Sequence, residues 1–255
     1  MKLTQKELKD FLDEKHRLYN RPSFIEYDPI SIPHTFSRKE DIEIAAFFSA
    51  TIAWGQRPTI IRSATRLMEL MDNEPYKFIL NSEKKDWKRF EGFAHRTFQA
   101  VDVIYFIRSL QNIYIHHGGL EKVFSEKSKK DIKNGMMHFR EIFLEINPHG
   151  RTAKHIANVE KNASAKRISM FLRWMVRNDK CGVDFGIWKN ISPSLLYCPL
   201  DLHSGRVARK LGLLQRKQDD WKAVDELTQS LRKLDKKDPV KYDFALFGLG
   251  VFEKF

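Results

Sequence analysis

Apolar residues recur at helical spacing along nearly the whole chain. Residues 4–18 read as an amphipathic helix. Residues 20–37 carry Pro22, Pro29 and Pro33 and read as a wrapping loop. Ser37 and Glu40 have the spacing of a capping box, which opens a helix running through Trp54. Pro58 fits the first turn of a further helix ending at Met71. Residues 81–97 are polar and irregular. Residues 99–115 predict a strongly apolar helix, and 131–146 another, closed by Asn147-Pro148. Helices over 166–177, 202–213, 221–234 and 239–249 complete the set. No stretch alternates as a strand does, and no two-residue turn joins β-branched runs. About ten helices with short connections predict an all-α, two-lobed helical globule. The expected organisation is one unit of two lobes: a central lobe over about 40–165, and a second built from 1–39 with 166–255.

Two segments carry candidate chemistry. In the 166–177 helix, Ile168, Phe171, Leu172 and Met175 follow the i, i+3, i+4, i+7 rule and predict the core face. Lys166, Arg173 and Arg177 then fall on the other side, toward solvent or a phosphate backbone. In the second segment Asp201 directly precedes the 202–213 helix. Aspartate is among the best N-cap residues, and a carboxylate held by helix amides stays ionised and fixed in direction.

Charge changes the picture next. The 255 residues carry a net charge of +12 and a pI near 9.6, which points to a polyanionic partner. Residues 151–217 hold fourteen cations against four anions, so most of the excess surrounds the two candidate segments. Cys181 and Cys198 alone make neither a disulfide framework nor a zinc cluster. The first residues lack the apolar core of a signal peptide, and the longest apolar run, 44–54, is too short to span a bilayer. A cytoplasmic, nucleoid-associated, reduced protein without a membrane partner is expected. His116, His117, His149, His155 and His203 show no metal-binding spacing, so neither a metal nor another cofactor is expected.

The run Pro199-Leu200-Asp201-Leu202-His203, followed by Arg206-Val207-Ala208-Arg209-Lys210-Leu211-Gly212, resembles the signature of the helix-hairpin-helix DNA glycosylase superfamily. There a Pro/Val-Asp-x-His motif precedes a helix of the type Arg-Val-Ala-x-Arg-Leu-Gly. Ser164-Ala165-Lys166 resembles the entry of the hairpin into the next helix, where the 8-oxoguanine glycosylases and endonuclease III carry a catalytic lysine. The segment 44–51 is similar to the superfamily's first long core helix, and 242–247 to its last. The resemblance covers about residue 40 to the C-terminus and is nearest a bacterial branch, with the archaeal 8-oxoguanine glycosylases as relatives. The chain departs from the pattern in the hairpin, where Val159-Glu160-Lys161-Asn162-Ala163-Ser164 has no glycine; only Asn162 tolerates left-handed geometry well. It also inserts residues 178–198 and lacks the iron–sulfur cysteines.

The resemblance implies that Lys166 is the nucleophile and Asp201 the catalytic aspartate, at the lobe interface. It likewise implies a place near the DNA backbone for His203, and Arg167, Arg173, Arg206, Arg209, Asn162 and Ser164 are expected as further DNA contacts. Asp243 and Phe247, one helical turn apart, match a base-reading and a base-stacking position, and Gln56 and Trp54 are further pocket candidates. The expected activity is base excision, with an oxidised purine such as 8-oxoguanine favoured and strand cleavage by the same lysine as an adjunct. The expected partner is double-stranded DNA with a damaged base or abasic site, bound by a monomer. The alternative is a non-catalytic module of the same fold that binds DNA or structured RNA, which the glycine-free hairpin favours.

Overall fold

The computed structural model describes residues 3–147 and 150–255. Pro148 and His149 lie outside the described residues. The fold is all-α apart from one small hairpin. Eleven α-helices occur among the described residues. They are α1 (Gln5–Tyr19), α2 (Lys39–Thr51), α3 (Arg57–Leu70), α4 (Pro75–Asn81), α5 (Ala100–His116), α6 (Leu120–Glu126), α7 (Ile132–Leu144), α8 (Lys166–Val176), α9 (Leu202–Lys210), α10 (Trp221–Leu234) and α11 (Tyr242–Val251). Strands β1 (Ala94–His95) and β2 (Phe98–Gln99) pair antiparallel, with Ala94 opposite Gln99, inside the segment that reads as irregular in sequence. None of the described helices is long and apolar enough to cross a membrane.

The chain divides into two compact units. One comprises the residues up to Phe24 with Asn158–Phe255, and the other Ile25–Ala157.

The Ile25–Ala157 unit is built around α2. From Ile42 to Thr51 every residue of that helix is buried, so it reads apolar all round, as a core helix should. Phe47 packs on Phe106, Phe139 and Phe143, each ring centroid 5.5 Å away. The sequence predicts a capping box from Ser37 and Glu40, but it does not form. Arg38 is the N-cap, no side chain caps the helix, and Glu40 pairs with the Arg38 side chain at 3.0 Å.

The other unit gathers α1 and α8–α11. Thr4 and Glu7 form a reciprocal capping box at the start of α1, which fixes where the helix begins. Helix α11 is apolar on nearly every face and is buried along most of its length. It crosses α1 closely at Gly248, where an added Cβ would lie 2.1 Å from the Tyr19 ring. The segment 178–198 is not a loose loop. Its Phe185 and Trp188 amides donate to the carbonyls of Trp174 and Met175, and Trp188 sits edge-on to Phe171 at 5.4 Å. Gly186 makes the turn possible at φ +55°, where a Cβ would meet the Asn178 Cβ at 2.3 Å.

Candidate active site

Local sequence sets the position of Asp201. Its φ of −129° and ψ of −177° are extended, as an N-cap requires, and α9 starts at the next residue. Oδ1 accepts from the amides of His203 and Ser204, both at 2.9 Å. Ser204 Oγ in turn accepts from the Asp201 amide at 2.9 Å, closing a capping box with serine in the third helical position. One oxygen of the carboxylate is thus occupied by the helix. The other, Oδ2, lies 2.8 Å from Lys166 Nζ. Burial pushes the Asp201 carboxyl upward, but the Lys166 charge and the hydrogen bonds from Lys166 and Ser204 outweigh it. The net position is below the ordinary carboxylate range.

Lys166 is the first residue of α8, entered through a tight turn with two left-handed residues. Asn162 has φ 64° and Ala165 has φ 52°. Asparagine visits this region readily; alanine does so at a cost of about 1–2 kcal/mol. The turn is tied down at Asn162, whose Nδ2 donates to Asp220 Oδ2 at 2.8 Å while its carbonyl accepts from the Trp221 amide at 3.1 Å. No side chain caps α8, so the site holds a helix start without a side-chain acceptor beside an ammonium paired to a carboxylate. The Lys166 side chain is 35% exposed and that of Asp201 16%, so the pair is partly open to solvent.

The basic stripe read from the helical wheel is corrected by the structure. Arg173 and Arg177 do not face solvent or a phosphate backbone; both are buried. Arg173 Nε lies 3.2 Å from Asp184 Oδ1, and its Nη1 pairs with Asp243. Arg177 Nη1 lies 2.9 Å from Asp184 Oδ2, Nε 2.8 Å from Asp238, and Nη2 2.5 Å from Asp179. Both guanidiniums also lie over the Phe244 ring, at 4.2 and 5.5 Å. The physical reason is the segment 178–198: it brings Asp184 over this face of α8 and supplies the carboxylate that periodicity alone cannot see. Asp184, Asp179, Asp238 and Ser204 are the residues that sequence reading missed. The i, i+4 arginine pair was the available signal, because two guanidiniums on one turn of an otherwise apolar helix need partners.

Other predicted residues fall as follows. Asp243 is buried on α11, against Arg173 rather than open to a pocket, and burial pushes its carboxyl up to about 6. Phe247 packs edge-on to Phe24 at 6.0 Å and to Phe252 at 6.3 Å. His203 is exposed in the first turn of α9, and Leu202 beside it is 74% exposed. Arg206 donates to the Gly250 carbonyl at 3.1 Å. Arg209 binds the Arg216 and Lys217 carbonyls at 2.8 and 3.1 Å and pairs with Asp219, so its donors close a loop. Arg167 is half-buried, and burial holds its guanidinium below its usual range. Ser164 is half-exposed. Trp54 and Gln56 belong to the Ile25–Ala157 unit. Trp54 lies edge-on to His95 at 5.2 Å and stacks on His155 at 6.2 Å, while Gln56 is the exposed N-cap of α3.

No group of three or more His, Cys, Asp or Glu side chains suited to a metal occurs among the described residues. Cys181 and Cys198 are unpaired, and burial pushes the Cys198 thiol well up. The arrangement therefore offers one amine, one oriented carboxylate and a buried charge network behind them.

The chain belongs to a family described as a protein of unknown function (DUF2400), whose model matches residues 28–252. No curated protein and no solved structure matches it.

Proposed function

We propose that this member of the family is a DNA glycosylase of the helix-hairpin-helix type, with Lys166 as nucleophile and Asp201 as the charge-stabilising aspartate. The observation that carries the reading is the 2.8 Å contact between Lys166 Nζ and Asp201 Oδ2. It brings together the two residues, 35 positions apart, that the chemistry requires. The left-handed turn at Asn162 and Ala165 supports a hairpin entering α8 even without glycine.

A damaged nucleotide is first turned out of the duplex, since its C1′ is inaccessible in the stack. Lys166 gives up its ammonium proton, and the Nζ electron pair attacks C1′. The bond from C1′ to the base breaks, and the base leaves with its electron pair and takes a proton. Asp201, held in direction by the α9 amides, stabilises positive charge building on the sugar. Opening of the sugar ring gives a Schiff base between Nζ and C1′. Loss of a C2′ proton then expels the 3′ phosphate and cuts the strand. Duplex binding draws on the chain's net positive charge and weakens with salt.

The test is incubation with duplexes bearing an abasic site or 8-oxoguanine in the presence of borohydride, which reduces the Schiff base to a stable adduct. The wild type forms a covalent adduct and Lys166→Gln forms none while still binding DNA. Absence of an adduct on every substrate, with salt-dependent duplex binding retained, replaces this reading by that of a non-catalytic nucleic-acid-binding module.

A further inference from the structure

A second set of reactive groups lies wholly within the Ile25–Ala157 unit and shares no residue with the Lys166–Asp201 pair. We propose that Ser63 and His95 are a nucleophile and its base, serving the hydrolysis of a carboxylic ester that carries an anionic group.

Two hydrogen bonds fix the pair. Ser63 on α3 is half-buried, and its Oγ lies 3.0 Å from Nδ1 of His95. The other ring nitrogen, Nε2, lies 3.2 Å from the Trp54 carbonyl. A carbonyl only accepts, so Nε2 carries the hydrogen and donates it. In a neutral imidazole Nδ1 then keeps its lone pair, and the Ser63 hydroxyl donates to it. His95 is buried, and burial holds it below its ordinary range against the opposing pull of the Trp54 and Ile52 carbonyls. The neutral, basic form is therefore the one present near neutral pH. The short hairpin explains the placement. Along β1, Ala94 is exposed and His95 buried, and His95 stands opposite the buried Phe98 of β2.

A cavity of about 600 Å³ opens at Ser63, a size that admits a small organic molecule. Ser63 and Ala94 line it, with Leu70 and Phe93 as apolar wall. Arg62 and Arg66, one helical turn apart on α3, line it too. Arg66 meets Glu69 at 3.3 Å, with both side chains more than half exposed, so that pair holds it weakly. Arg89, also at the cavity, is committed to the Leu70 carbonyl and Asp72. Arg62 and Arg66 are thus the donors for a substrate anion. Satisfying a buried imidazole calls for neither a cavity nor two arginines beside the hydroxyl. In the reaction Ser63 Oγ bonds to the ester carbon while its proton passes to His95 Nδ1. The imidazolium is held by the Trp54 carbonyl through Nε2–H. The bond from carbon to the alcohol oxygen then breaks, and the alcohol leaves with the electron pair and takes the proton from Nδ1. Water attacks the acyl-serine by the same route, which releases the acid and returns a proton to Oγ.

The test treats the full chain with a small fluorophosphonate, which phosphonylates an activated serine and releases fluoride, and maps the adduct by mass. The wild type carries one phosphonyl group on Ser63. Ser63→Ala, a favourable substitution in a helix, carries none. His95→Gln slows labelling by at least about a hundredfold, the scale of losing a general base. No adduct on Ser63, or labelling of Ser63 at an unchanged rate in His95→Gln, overturns the proposal. If His95→Gln does not fold, the imidazole 15N shifts of the wild type decide the base: Nδ1 bare and Nε2 protonated supports it, and the reverse tautomer overturns it. The substrate class is read from p-nitrophenyl acetate against mono-p-nitrophenyl succinate. Faster Ser63-dependent turnover of the succinate, with the preference lost when Arg62 and Arg66 are both replaced by alanine, supports an anionic ester. Equal turnover of the two esters overturns that class.

Discussion

Replacing Asp184 with alanine removes the one carboxylate that both buried arginines of α8 share. Its Oδ1 serves Arg173 at 3.2 Å and its Oδ2 serves Arg177 at 2.9 Å. All three side chains are almost wholly withdrawn from water. Taking one partner from a buried ion pair costs about 3–5 kcal/mol, because the remaining charge is desolvated without compensation. Arg173 keeps Asp243, and Arg177 keeps Asp179 and Asp238. The loss therefore belongs at the lower end, about 3 kcal/mol. Asp184→Asn retains a carbonyl oxygen in the same place and should lose roughly half as much. Urea denaturation followed by tryptophan fluorescence suits the question, since Trp174 on α8 and Trp188 in the segment carrying Asp184 are both buried in this unit. With a slope of about 3 kcal/mol/M, the alanine midpoint falls by about 1 M and the asparagine midpoint by about half that. Midpoints of both variants within roughly 0.3 M of wild type would mean that the network contributes little to stability.

Two further predictions follow from packing and titration. Gly248→Ala places a Cβ 2.1 Å from the Tyr19 ring and should cost about 1–3 kcal/mol through displacement of α1 from α11, measured by the same denaturation. Asp243, pushed up to about 6 by burial, binds its proton more tightly folded than unfolded. Its contribution to stability is therefore fully present below about pH 4 and is lost as pH rises to about 6, on the order of 2–3 kcal/mol in total. The difference in unfolding free energy between wild type and Asp243→Asn should change by that order across the interval. A pH-independent difference contradicts the placement of Asp243.

What could be read in the sequence was what depends on near neighbours. Asp201 capping α9 follows from its own residue type and the helix that starts beside it, and Asn162 announced a left-handed position by its chemistry. Ala165 in the same conformation carries no such mark, because its geometry is imposed by the turn that delivers Lys166 to α8. Arg173 and Arg177 were misplaced because a helical wheel ranks faces by the helix's own residues. The carboxylates that make burial tolerable arrive from Asp184 in the 178–198 segment, Asp238 beyond α10 and Asp243 on α11, up to 70 residues away. The strand pair at Ala94–His95 and Phe98–Gln99 escaped for a related reason: two residues a side give no alternation to detect. Ser37 and Glu40 show the opposite failure, a correct local spacing overridden when Glu40 pairs with Arg38.

The most direct measurement is mass mapping of the borohydride-reduced product. Wild-type protein is incubated with an abasic duplex, reduced, digested with protease and nuclease, and the modified peptide sequenced. A glycosylase that uses Lys166 leaves a deoxyribose remnant on its Nζ, lost in Lys166→Gln. A remnant on any other lysine, or no remnant from a protein that binds the duplex, contradicts it.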